Sequence, residues 1–205
     1  MGLHLLSSIV RPLSSESAFA WRLAIFYAAL FVALGVQLPF LPLWLAAKGL
    51  DGGAIGVALA LPMVVRVFAI PLATRGADRH DALRATILIA AAMSVLGYAV
   101  VGLAQGAVAI TMALVLASVF QTPVMPLADA YALRGLGGLK RAYGPVRLWG
   151  SAAFIVGSFG AGLLLERIAA RDLIWLLVAA LTITAAAADR TPLRSSERPR
   201  PRRRA

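Results

Sequence analysis

The chain has 205 residues, of which 60% are hydrophobic and 14% charged, with a mean hydropathy of +0.84 and no cysteine. Soluble domains run nearer about 45–50% apolar and about 25% charged, so a water-soluble globule of this size could not hide so much apolar surface, which excludes a cytosolic enzyme, a nucleic-acid-binding module and a disordered chain. The net charge of +11 is uneven: seven arginines against Asp189 and Glu197 put +5 in residues 189–205 and leave +6 for residues 1–188, the pattern of a membrane protein with a basic tail.

A helix rising 1.5 Å per residue needs about 20 apolar residues to cross a bilayer core of roughly 30 Å. After a polar N-terminal segment (residues 1–20), the first such run is Leu23 to Ala47, 25 residues without a charge, followed by the glycine-rich turn Lys48 to Gly53. Ala54 to Thr74 is apolar apart from Arg66, and a charged loop, Arg75 to Arg84, follows it. Ala85 to Ala128 is uncharged for 44 residues, about twice one crossing, so it holds two spans with the break at Ala104-Gln105-Gly106. A basic, glycine-rich loop lies between Asp129 and Arg147, Leu148 to Leu165 makes an 18-residue fifth run, and Leu173 to Ala188 a sixth of 16. The expected fold is therefore all-α and integral to the membrane, with six transmembrane helices in residues 21–188 and an Arg/Pro-rich, disordered cytoplasmic tail at 189–205. Lipid offers no hydrogen bonds to loose backbone, so each span is expected to be helical throughout.

Orientation follows from Lys and Arg. With a cytoplasmic N-terminus, Arg11, Arg22, Arg75, Arg79, Arg84, Arg134, Lys140, Arg141, Arg147 and the seven tail arginines lie inside, against Lys48, Arg167 and Arg171 outside. Both termini are then cytoplasmic, Trp21 and Trp44 flank the first span as interface anchors, and the expected location is a bacterial inner membrane. The first apolar run is too long, and the stretch before it too polar, for a cleavable signal peptide.

Two features point to transport. Leu38-Pro39-Phe40-Leu41-Pro42-Leu43 in span one and Thr122-Pro123-Val124-Met125-Pro126-Leu127 in span four put paired prolines at matching places in two groups of three spans, as transporter repeats do. Charges lie inside the membrane: Arg66 in span two, Asp129 near the inner end of span four and Arg147 near the start of span five. Such charges face a partner or a cavity. A hairpin of spans four and five puts Asp129 and Arg147 at similar depth, either as a salt bridge holding the spans together or as a ligand-facing pair. Arg66 pairs with a helix-end carbonyl or Asp129, or faces ligand. Gly150, Ala153, Gly157 and Ala161 form a small-residue stripe for close helix packing. With only His4 and His80 and no cysteine, no metal or cofactor site is expected, and no nucleophile elbow, Walker loop or H-E-x-x-H supports an embedded enzyme.

The stretch Ala73 to His80 resembles the signature loop of the major facilitator superfamily: Ala77, Asp78 and Arg79 fit, while Thr74, Asp81 and Ala82 depart from it. Pro39 to Leu45, Lys48-Gly49-Leu50, Ile55-Gly56, Pro126 to Asp129 and Tyr143 to Ser151 look like its phenylpropionate-permease-like and lactose-permease-like branch. That resemblance, over residues 20–180, implies a twelve-helix fold of two six-helix halves, each built from two three-helix repeats, of which this chain holds the N-terminal half. It implies proton-coupled uptake of a small organic acid, aromatic ones included, by alternating access. It assigns Asp129 and Arg147 to substrate, Phe154 to stacking on a ligand ring, and Asp78 with Arg79 to a conformational gate. The tail does not resemble the family's central loop, so it reads as the end of a truncated or frame-shifted half, inactive alone or assembling with a second half or a second copy. Residues that handle protons in such relatives belong to the other half.

Overall fold

The computed structural model describes residues 15–79, 82–138 and 143–191. Residues 1–14, 80–81 (with His80), 139–142 (with Lys140 and Arg141) and 192–205 lie outside the described residues. Among the described residues seven α-helices follow in order: α1 Ser15–Ala47, α2 Gly52–Arg79, α3 Leu83–Leu103, α4 Ala107–Gln121, α5 Val124–Gly138, α6 Tyr143–Leu165 and α7 Leu173–Asp189, with a 3-10 turn at Ala170–Asp172. No strand occurs among the described residues. They make six membrane-crossing segments, because α4 and α5 together form the fourth, Ala107–Leu136.

The chain breaks where hydropathy predicts. Gly49 (φ 87°) and Gly106 (φ 78°) take the left-handed backbone that ends spans one and three, a conformation other residues enter only with strain. Asp51 starts α2 by accepting the Ala54 N–H at 2.8 Å. The expected charged loop at Arg75 is instead helical: α2 runs to Arg79, so Asp78 stands in the last turn of a helix. Of the stretch between Asp129 and Arg147 that holds the expected basic loop, α5 takes the part up to Gly138 and carries Arg134.

The largest departure is in span four, which is not helical throughout. It parts at Thr122-Pro123, where Pro123 has no N–H to donate to the carbonyl four residues back. Span one carries Pro39 and Pro42 and yet stays one helix. Pro39 strands the Gly35 carbonyl, and the Ser158 hydroxyl of α6 donates to it at 2.9 Å.

That bond needs two backbones almost touching. A Cβ on Gly157 would lie 2.9 Å from the Val32 Cα, and Gly35 faces the Phe154 carbonyl and Ser158 just as closely. The predicted stripe of small residues on α6 is thus seated on α1, with Gly150 against Phe31 and Ala161 buried. Span one is the most enclosed, with 56% of its apolar window buried, against 11% for span two. Two apolar clusters stack along it, one around Tyr27, Phe31 and Leu127, the other around Trp44, Leu45, Ile110 and Leu177.

Candidate functional site

Polar groups gather at two levels of the bundle, both on span one and span four. The first level is built on Asp129 of α5. Its Oδ1 accepts the Tyr27 hydroxyl from α1 at 2.7 Å and the Tyr143 hydroxyl from the start of α6 at 2.6 Å. The two tyrosine oxygens are 3.4 Å apart, with their rings edge to face. Two hydroxyl donors on one carboxylate oxygen make charge-assisted hydrogen bonds, which lets a carboxylate sit among Leu127, Ala128 and Tyr131.

Arg147 joins this level by another route. Its guanidinium carbon lies 4.1 Å from the centre of the Phe31 ring and 5.9 Å from that of Tyr27. Stacking on ring faces stabilises the cation without using its in-plane N–H donors. Of the two alternatives for Asp129 and Arg147, the salt bridge does not form: the ion pairs among the described residues are Arg84–Asp189 and Arg134–Asp78. The reason is that α6 packs chiefly on α1 and only marginally on α5. Tyr27 stands between the acid and the base, bonded to one and covered by the other.

Phe154 lies two turns beyond Arg147 on α6, half-buried against the cluster around Tyr27 and Phe31. Asp78 is exposed and accepts from Arg134 of α5 at 2.8 Å, tying the end of span two to span four. Arg79 beside it is exposed at the last residue of α2. Asp78 therefore lies at the C-terminal end of a helix, and the neighbouring cations rather than a helix dipole offset its charge.

The second level was not foreseen from the paired prolines, although its signal is in plain sight. The repeat extends one residue further back, so that Gln37-Leu38-Pro39-Phe40-Leu41-Pro42-Leu43 matches Gln121-Thr122-Pro123-Val124-Met125-Pro126-Leu127. The two equivalent glutamines meet. Gln37 Nε2 donates to Gln121 Oε1 at 3.1 Å, and Gln121 Nε2 donates back to Gln37 Oε1. Tyr98 of α3 closes the triad, its oxygen accepting from Gln37 Nε2 at 2.6 Å and donating to Gln121 Oε1 at 2.7 Å. Gln37 is ten residues beyond Tyr27 and Gln121 eight before Asp129, which separates the levels by roughly 12–15 Å of helix.

Arg66 belongs to this second level and not to the first. It pairs neither with Asp129 nor with a helix-end carbonyl, and has no ion-pair or hydrogen-bond partner among the described residues. It lines a cavity of about 250 Å³ together with Gln37, Tyr98, Ser118, Gln121 and Thr122. No group of acidic or histidine side chains able to hold a metal ion occurs among the described residues.

Residues 20–196 match the description of the MFS_1 like family. The chain is 34% identical over 187 residues to the maltose permease of Geobacillus stearothermophilus, covering 86% of this chain and 47% of that one. It is 34% identical over 157 residues to the probable 3-phenylpropionic acid transporter of Escherichia coli strain K12, covering 76% of this chain and 41% of that one. The crystal structure of the nucleoside transporter NupG superposes with a TM-score of 0.78 at 17% identity, over 85% of this chain and 44% of that one, a likeness of fold. The chain spans less than half the length of each of these relatives.

Proposed function

The chain belongs to the MFS_1 like family of the major facilitator superfamily, and from that membership we propose that it serves proton-coupled uptake of a small organic acid, aromatic ones included, by alternating access. The membrane is a bacterial inner membrane, with both termini cytoplasmic and the basic turns inside. One observation carries the choice of an acid: the Asp129 carboxylate is engaged by Tyr27 and Tyr143, while the Arg147 guanidinium rests on Phe31 with its donors unspent among the described residues. A carboxylate is the planar anion that such a fork grips with two parallel N–H bonds. Asp129 sets the local charge, and Phe154 offers a face to an aromatic substrate. The exposed Asp78–Arg134 bond, with Arg79 beside it, is cheap to break and suits a gate that opens each cycle.

The test is uptake into proteoliposomes under an inward proton gradient. 3-Phenylpropionate is expected to accumulate in preference to maltose, and Arg147→Gln to abolish it. Accumulation of maltose alone, or acid uptake that ignores Arg147, overturns the proposal. A second reading is favoured by the coverage of the relatives: the six spans form one wall of the pathway and move solute only with a second six-helix set, another chain or a second copy. Under it, the chain alone binds 3-phenylpropionate but does not accumulate it.

A further inference from the structure

Arg66 stands 14 residues from Gly52 and 13 from Arg79, the midpoint of span two. A cation at that depth costs several kcal/mol unless water or an anion meets it, and no acidic side chain does so among the described residues. Across the cavity from it, the Gln37–Tyr98–Gln121 triad satisfies itself except for one Nε2–H of Gln121 and one lone pair of Gln37. Ser118 and Thr122, which also line it, turn their hydroxyls onto their own helix, and Leu38, Leu41, Leu59, Met63 and Leu114 supply an apolar body. A cationic fork, a spare amide donor and an apolar body in one 250 Å³ space describe a receptor for a monocarboxylate with a hydrophobic tail.

We propose that Arg66, with the Gln37–Tyr98–Gln121 triad, forms a second carboxylate station, separate from Arg147 and one level along the same two spans. It rests on the organic-acid reading given above and adds a place that this reading does not use. Equivalent residues of the two repeats supply its polar wall, so the station lies where the first and fourth spans meet. Movement of one repeat against the other separates Gln37 from Gln121 and frees their donors for the incoming anion. A substrate then meets two cationic stations in series.

The chain has no cysteine, so Met63→Cys places a single thiol in the lining of this cavity. In lipid nanodiscs, its alkylation by a maleimide is measured with 3-phenylpropionate or with the uncharged 3-phenyl-1-propanol. The acid is expected to slow labelling, and Arg66→Gln to raise the concentration needed for half-protection by about tenfold to a hundredfold. The alcohol, which has no charge for Arg66 to read, is expected to protect weakly and equally in both backgrounds. Gln121→Leu is expected to shift the acid several-fold in the same direction. Protection that survives Arg66→Gln but is lost in Arg147→Gln overturns the second station and leaves the Arg147 site standing. Protection by the alcohol as strong as by the acid overturns the station as a carboxylate site. Failure of the acid to protect the native lining at any concentration overturns it outright, and uptake into proteoliposomes then judges the organic-acid reading separately.

Discussion

Spans one and four carry the same Gln-x-Pro-x-x-Pro-Leu sequence and are built differently. In span one the helix runs unbroken past both prolines, because α6 approaches through Gly157 and Ser158 donates to the carbonyl that Pro39 strands. In span four the helix parts at Thr122-Pro123, and no side-chain hydrogen bond reaches the Val119 carbonyl among the described residues. Ser118 and Thr122 turn their hydroxyls back onto their own helix, to Val115 and Ser118. A proline interrupts a membrane helix only as far as the neighbouring helix lets it. Helix α2 also runs unbroken past Pro62 and Pro71, so a proline by itself does not decide between a continuous rod and a joint.

The comparison can be broken most severely at the close approach. Gly157→Leu forces its side chain into the Val32 backbone 2.9 Å away, drives α6 off α1 and takes Ser158 out of reach of Gly35. The expected loss is about 1–3 kcal/mol, read from reversible unfolding in mixed micelles. Native stability in this variant would mean that α6 does not hold span one. The comparison is sharpened by Ser158→Ala, expected to cost about 0.6 kcal/mol and at most about 1.7. That cost should vanish in a Pro39→Ala background, where residue 39 regains its own N–H for the Gly35 carbonyl. A double-mutant cycle with no coupling would remove the serine from the account. The smallest effect is expected from Pro123→Ala, which supplies the missing donor and joins α4 to α5. Amide exchange at residues 122–127 should slow several-fold, whereas Pro39→Ala alone should leave span one as protected as before.

How much of this was readable in advance differs between the crossings and the site. The turn at Ala104-Gln105-Gly106 and the six apolar runs were placed correctly, because run length against bilayer thickness is a property of consecutive residues. The stripe on α6 was read correctly for the same reason, as helical spacing puts it on one face. The loop at Arg75 was misjudged: charge marked it as a turn, whereas helix α2 carries its charged residues to Arg79. Asp129 and Arg147 were singled out, but their relation was not legible. Nothing along the chain says that Tyr27, 102 residues from Asp129, supplies a hydroxyl at 2.7 Å. Gln37 and Gln121 could have been found by extending the proline repeat by one residue, and Tyr98 could not.

The order of residues alone settled that this chain crosses lipid six times and carries paired prolines at equivalent places, since hydropathy and spacing are local quantities that need no partner. Only the packed bundle decided which proline becomes a joint, that Tyr27 separates Asp129 from Arg147, and that Arg66 faces two glutamines instead of an acid. Those outcomes depend on which side chain from a distant helix arrives within hydrogen-bond reach. In lipid, where no water stands in for a missing donor, that arrival matters for the stranded Gly35 carbonyl and for the buried charge alike.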